Sequence, residues 1–404
     1  MTLNHTPSSE RIHIALFGRR NVGKSSVINA ITSQQLAIVS EFEGTTTDPV
    51  YKSMELLPIG PVVLIDTAGL DDEGSLGALR IQKTYQVLNK TDIAVLIVDS
   101  TKGLTELDIK LMERFRLKKL PFVVAFNKAD LCTPPIPYDI SEHCIGISAK
   151  SGYNIEQLKE LIAAQVKPDE KKRAIVADLL EPGDLVVLVV PIDSAAPKGR
   201  LILPQQQTIR DILEADAVSV VVKENQLKNT LEQLNTKPKL VITDSQAFEQ
   251  VAADTPKDIL LTSFSILFAR YKGSLDTAVL GARVLDTLQD NDYVLICEGC
   301  THHRQCEDIG TVKLPNWIRK HTGKEPHFEF TSGTEFPEEL SKYKLIIHCG
   351  GCMINEKEMK KRLSIAATCH IPMTNYGIAI AYMHGILKRS VKAFPEITKL
   401  LPKH

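Results

Sequence analysis

Short apolar runs alternate with amphipathic stretches along nearly the whole chain. In the first third, Ile12–Phe17, Val62–Ile65, Ile93–Val98 and Phe122–Phe126 read as buried strands, each followed by loop and helix signals. Such alternation predicts a parallel sheet covered by helices. The rhythm breaks over 166–173, Val-Lys-Pro-Asp-Glu-Lys-Lys-Arg, a charged, proline-bearing linker. A second α/β run follows, with strands expected at Leu185–Val190, Val218–Val222, Leu240–Thr243 and Ile259–Thr262. Helices are expected between them at Gln205–Ala215, Asn225–Leu234 and Gln246–Ala253. The third run opens with a helix over Ser274–Leu288 and continues through strands at Tyr293–Ile296, Phe328–Phe330 and Tyr343–Ile347. Helices over Glu356–Ala367 and Ile378–Val391 close it. The expected class is α/β with mainly parallel sheets, in three domains over 1–168, 169–266 and 267–404.

Composition changes this picture little. Hydrophobic content of 43% and charged content of 24% are ordinary for a globular protein. The formal net charge of −1 gives no global field toward nucleic acid or an anionic membrane, which argues against either as a partner. The opening MTLNHTPSSE is polar and unlike a secretory signal, and the run Leu185–Val190 is far too short to cross a bilayer. A cytoplasmic protein is expected. The eight cysteines do not suggest a disulfide framework, but they are unevenly placed. Cys297, Cys300, Cys306, Cys349 and Cys352 crowd into the last third. The middle run carries no nucleotide, metal or nucleophile motif and reads as a structural or dimerisation module, so a homodimer through it is expected.

Gly18-Arg19-Arg20-Asn21-Val22-Gly23-Lys24-Ser25 matches GxxxxGKS between an expected strand and an amphipathic helix, the context a phosphate-binding loop requires. Backbone N–H groups from Gly18 to Ser26 would wrap phosphates at a helix N-terminus. Lys24 would reach the β- and γ-phosphates, and the Ser25 hydroxyl would ligate magnesium. Asp66-Thr67-Ala68-Gly69 follows the next strand; its carboxylate can hold magnesium through water, and the Gly69 amide can sense the γ-phosphate. Asn127-Lys128-Ala129-Asp130 follows another strand, where Asp130 can accept from the guanine N1–H and exocyclic amine. Ser148-Ala149-Lys150 would offer backbone contacts to the guanine carbonyl. Each fragment alone could be an ordinary capped turn. Four in order, each behind a strand, predict a P-loop domain that binds GTP and GDP with Mg2+ and hydrolyses GTP.

These motifs resemble the TrmE/Era/Der group of GTPases. Gly44-Thr45-Thr46-Thr47-Asp48 is similar to that group's first switch, which implies that Thr46 is a magnesium ligand. Leu70 stands where a Ras-type enzyme has the glutamine that orients water, so the water must be handled differently. Asn21 matches the position that binds potassium in TrmE-like enzymes, implying K+ between the α- and γ-phosphates as a neutralising charge. The plainer reading is that Asn21 caps the loop.

The cysteines suggest a second chemistry. Cys300-Thr301-His302 follows one expected strand and His348-Cys349-Gly350-Gly351-Cys352 another. If both strands lie in one parallel sheet, both loops emerge at its carboxyl edge, where ligands collect in open α/β folds. Cys300, Cys349 and Cys352 suit a 4Fe–4S cluster with one iron left for a non-cysteine ligand. With one histidine they equally suit zinc, and a lone CxxC is often a pair of buried thiols. Cys297 ends an alternating strand and should face a core. Lys357, Lys360, Lys361 and Arg362 read as a solvated helix face.

The whole pattern, CxH and HCxxC behind a GTPase, resembles the HydF family of FeFe-hydrogenase maturation factors. The resemblance extends over GRRNVGKSS, GTTTDPVYKSMEL, VVPID…APKGRL, PKLVITDSQ and IPMTNYG. It implies GTPase, dimerisation and 4Fe–4S-binding domains, with Cys300, Cys349 and Cys352 as ligands and His302, His348 or Glu298 competing for the fourth position. It also implies a scaffold that receives a transient diiron precursor from two radical-SAM maturases and delivers it to apo FeFe-hydrogenase. Two rival readings are a TrmE- or Der-like GTPase in tRNA modification or ribosome assembly with a structural zinc, and a redox enzyme using the cluster for electron transfer. The first would want a basic, aromatic appended domain, and the chain offers only Trp317 and 5% aromatics. The second would want a flavin, nicotinamide or CxxxCxxC motif, and none is present.

Overall fold

The computed structural model describes residues 10–32, 49–69, 84, 86–133, 136, 138–166, 174–192, 201–299, 309–333, 336–337, 339–351 and 354–401. The chain forms two compact units, Met1–Lys171 and Lys172–His404. In the first, β1 (Ile12–Phe17), β2 (Val50–Leu56), β3 (Gly60–Asp66), β4 (Ile93–Asp99), β5 (Phe122–Asn127) and β6 (Cys144–Gly146) form one sheet in the order β2-β3-β1-β4-β5-β6. All pairs are parallel except β2 with β3. The central strands are apolar along their length because helices cover both faces. Val27, Ile28 and Ile31 of α1 (Lys24–Thr32) close one face. Leu111, Met112 and Phe115 of α2 (Glu106–Leu117) close the other. The edge strand β2 alternates exposed and half-buried residues, and no strand was expected there because its apolar positions are sparse.

The second unit holds two four-stranded parallel sheets. β7 (Leu185–Val189), β8 (Val218–Val222), β9 (Leu240–Thr243) and β10 (Leu260–Ser263) run in the order β10-β9-β7-β8. β11 (Tyr293–Glu298), β12 (His327–Ser332), β13 (Tyr343–His348) and β14 (Met373–Asn375) run in the order β12-β11-β13-β14. The core of the first of these sheets also takes in Phe264 and Phe268 of α3 (Phe264–Tyr271), Ala278 of α4 (Leu275–Ala282), and Ile378, Val391 and Phe394 from near the C-terminus. The expected boundary at residues 266 and 267 therefore falls inside this unit.

Two long expected helices are broken. The Ser274–Leu288 stretch is helical to Ala282 and then tightens into a 3-10 turn over Arg283–Thr287. The Ile378–Val391 stretch ends its first helix at Met383, and Gly385, at φ +68°, turns the chain before Leu387–Ser390. Arg362 is a further correction. It lies on α5 (Glu356–Thr368), where the i, i+3, i+7 face with Met359 and Ala366 points inward, and it is only 1% exposed. Lys357 and Lys360 on the other face are exposed as expected. Among the described residues, no helix is long and apolar enough to cross a membrane.

Candidate nucleotide site and cysteine-bearing loops

The carboxyl ends of β1, β3, β5 and β6 bring the expected nucleotide motifs to one edge of the first sheet. After β1, Asn21 adopts φ +58° and Gly23 φ +91°, curling the loop into the start of α1. A side chain on Gly23 would collide with the Asn127 amide. That close approach is what the motif glycine permits. The Lys24 ammonium donates to the carbonyls of Gly18 at 2.9 Å and Arg19 at 2.8 Å, so it lies over the loop that would hold the phosphates. Asn127 ties three loops together. Its amide donates to the Val22 carbonyl at 2.9 Å, and its carbonyl oxygen accepts from the Ala149 N–H at 3.0 Å. The loop carrying Ser148 and Lys150 is thereby held against the P-loop.

The Ser25 hydroxyl donates to Asp66 Oδ2 at 2.6 Å. Asp66 is 4% exposed, and its Oδ1 finds no hydrogen-bond partner among the described residues. Burial raises its pKa, against the lowering effects of Ser25, Lys24 and Lys52. An orphaned buried carboxylate oxygen beside a hydroxyl is a hard-oxygen donor set, and it fits Mg2+. Gly69 ends the described part of that loop, and Thr46 and Leu70 lie outside the described residues.

Three charges in this site carry no motif and were missed by sequence reasoning. Lys52 on β2 has a shielded ammonium without a hydrogen bond among the described residues, its pKa lowered by burial and partly restored by Asp66. Arg19, inside the P-loop, lies 3.5 Å from Asp108, a 1%-exposed carboxylate that also accepts from the Thr105 N–H and hydroxyl at the head of α2. Asp99, at the end of β4, receives the Lys128 ammonium at 2.6 Å and two bonds from Thr101. Lys128 has φ +67°, and Asp130 beyond it is exposed.

In the third sheet β11 and β13 are neighbours, with Cys297 opposite His348, and the Cys349 N–H donates to the Cys297 carbonyl at 2.8 Å. Gly299, at the head of the first loop, meets Cys349, at the head of the second, at the carboxyl edge. Cys349 Sγ accepts the N–H of Gly299, the residue before Cys300, at 2.9 Å, and the N–H of Gly351 at 3.3 Å. Two backbone amides aimed at one sulfur are the kind of surroundings that orient a metal-bound cysteine. Cys349 Sγ therefore fits a place in a sulfur-held metal group. Cys300, His302, Cys306 and Cys352 lie outside the described residues. Among the described residues no group of three or more His, Cys, Asp or Glu gathers. Cys297 faces the core, fully buried, as its strand position implied. Glu298, half-buried, places a carboxylate oxygen over Gly310. His348 is 1% exposed, between the Cys349 carbonyl at 2.8 Å and Arg362 at 2.9 Å.

A P-loop sheet with all four nucleotide motifs on one edge defines the class: a GTPase, here followed by two α/β sheets, the second ending in cysteine-bearing loops. Models of known families match in the same sequence. Residues 13–128 match a 50S ribosome-binding GTPase model, 175–273 the hydrogen maturase F dimerization domain, and 276–393 the hydrogen maturase F tetramerization domain. The latter two together span more than half of the chain. The chain belongs to the hydrogen maturase F (HydF) family.

The tRNA modification GTPases MnmE resemble this chain at the GTPase domain. The tRNA modification GTPase MnmE of Nitrosomonas europaea is 38% identical over 153 residues, 37% of this chain and 34% of that protein. The MnmE of Bordetella petrii is 32% identical over 156 residues, 38% of this chain and 34% of that protein. The chain thus spans about a third of these relatives' length. Among solved structures, Era of Aquifex aeolicus bound to GDP and AlF4− aligns at TM-score 0.36 and 18% identity, covering 55% of this chain and 98% of that one. The G domain of the T. maritima FeoB iron transporter aligns at 0.31 and 24%, covering 39% and 100%.

Proposed function

We propose that this protein is a GTPase and iron–sulfur scaffold for assembling the FeFe-hydrogenase diiron subcluster. The observation that carries the cluster half is the Gly299 N–H on Cys349 Sγ, which joins the head of the Cys300 loop to the Cys349 turn. Cys300, Cys349 and Cys352 are assigned as ligands of a 4Fe–4S cluster, with the fourth position open to Glu298, His302, His348 or an exogenous group. Such a cluster, when bound, supplies an exchangeable iron corner at which the diiron precursor can be held. The proposed partners are two radical-SAM maturases and apo-hydrogenase, with chains pairing through the middle module. The proposed division is 1–168 for GTP, 169–266 for pairing and 267–404 for the cluster.

In the GTPase half, Lys24 neutralises the β- and γ-phosphates, Ser25 and Thr46 ligate Mg2+ with Asp66 behind them, and the Gly69 amide senses the γ-phosphate. Asp130 reads guanine, and Ser148, Ala149 and Lys150 close over the base. Asn21, exposed at φ +58°, is the proposed K+ ligand. Equal GTP hydrolysis in sodium and in potassium would remove that ligand from the scheme. The scaffold reading is tested by anaerobic reconstitution with iron and sulfide. About four irons per chain and an S = 1/2 EPR signal on reduction are expected. One zinc per chain with no iron uptake would leave a GTPase with a structural metal.

A further inference from the structure

We propose that two buried cations shape the turn that follows β13 before any cluster arrives: Lys272 directly, and Arg362 through His348. The inference rests on the cluster reading above. Lys272 caps α3, outside the cysteine motif, and is only 7% exposed. Its ammonium donates to the carbonyl of Gly351, and lies 3.4 Å from those of Gly350 and Ile354. An ammonium offers three protons, and three carbonyls of one turn converge on it. Gly351, at φ +60°, permits this wrapping: a Cβ there would meet Met359 Cε at 2.6 Å and stand 3.5 Å from the ammonium.

The peptide between Gly350 and Gly351 links charge to sulfur. Its carbonyl faces Lys272, and its N–H faces Cys349 Sγ at 3.3 Å. The ammonium thus polarises an amide aimed at the Cys349 sulfur, and its charge stands beside a proposed cluster ligand.

The second cation fixes the other end of the turn. Arg362 NH1 lies 2.9 Å from His348 Nε2, while Nε reaches Glu358 at 3.2 Å and NH2 the Gly333 carbonyl at 3.1 Å. A guanidinium has no acceptor, so Nε2 must accept. The imidazole proton is then on Nδ1 and is donated to the Cys349 carbonyl at 2.8 Å. Both ring nitrogens are engaged in a side chain that is 1% exposed. His348 is therefore a positioning residue, and the non-cysteine corner of the cluster falls to another group.

The test uses the full chain, metal-free and then reconstituted with iron and sulfide. In the metal-free protein, Lys272→Met should speed amide exchange over 349–354 by about tenfold or more, the scale of one lost charge-assisted bond. In reconstituted protein the same variant should shift the cluster's midpoint potential to more negative values, since a nearby positive charge favours the reduced form. His348→Gln should leave any strong nitrogen coupling in pulsed EPR unchanged. Wild-type exchange together with a wild-type potential in Lys272→Met would overturn the proposal. So would loss of a directly bound nitrogen in His348→Gln. If Lys272→Met does not fold, Arg362→Lys is read by the same exchange measurement. Failure of the wild type to take up iron would sink the cluster reading, while the exchange experiment would still decide whether the brace exists.

Discussion

Cys297 lies on β11, Cys349 directly follows the adjacent strand β13, and the two have opposite surroundings. Burial pushes the Cys297 thiol up to about 11 and leaves it fully enclosed, whereas two backbone amides point at the Cys349 sulfur. Cys297 should therefore resist iodoacetamide at pH 8 in the native protein, while the exposed Cys369 reacts, as peptide mass spectrometry would record. Comparable labelling of both would show that the β11 core opens readily. Asp130 poses the reverse case, an exposed carboxylate whose proposed role is specificity. Asp130→Asn should move nucleotide preference from guanine toward xanthine, because the amide offers a donor where guanine also offers one. A guanine preference close to the roughly 10⁴-fold such sites reach, measured on the variant, would remove Asp130 from base recognition. The buried position of Cys297 was legible from strand alternation, and the place of Asp130 behind β5 from motif order. Lys52, Lys272 and Arg362 were not. Their roles depend on which loop folds over a long aliphatic stem, and no local pattern records that.

At the scale of elements, the strand ends carry the chemistry and short polar ties set their spacing. Burial alone would raise the Asp99 pKa, but bonds from Lys128 and from the Thr101 hydroxyl and N–H bring it below the usual carboxylate value. The sign follows from the lowered folded value. The contribution is present above an unfolded pKa of about 3.9 and is lost as pH falls through the folded one. Lys128 is partly exposed, so the pair is worth about 1 kcal/mol at most. Acid unfolding of the first unit should therefore lose part of its pH dependence below about pH 4 in Asp99→Asn. An unaltered acid transition would mean that the β4–β5 tie contributes nothing to stability. The central strands of this unit were readable because each is apolar on both faces. Strands β2 and β14 were not, the first being a half-exposed edge and the second only three residues long. Their existence depends on a neighbouring strand already in place.

Across the whole molecule, the order of modules was visible from hydrophobic rhythm and motif position, but the packing of the C-terminal helices onto the middle core was not. Periodicity shows which face of a helix is apolar and not which distant sheet receives it. The same distinction bears on assembly. The matching family models are named for dimerisation and tetramerisation, and the middle sheet has one edge suited to such a contact. β10, at one edge, is buried along nearly its whole length, while β8, at the other, leaves Val218 50% and Val221 45% exposed. Leu213, just upstream, is 55% exposed. An edge strand with exposed valines is a template for pairing unless something covers it, and a lysine is the usual natural guard. Val221→Lys should therefore lower the assembly state measured by light scattering on the eluting protein, while GTP hydrolysis persists because the substitution lies outside the first unit. An unchanged mass would move the contact off β8, leaving the exposed valines without an assembly role.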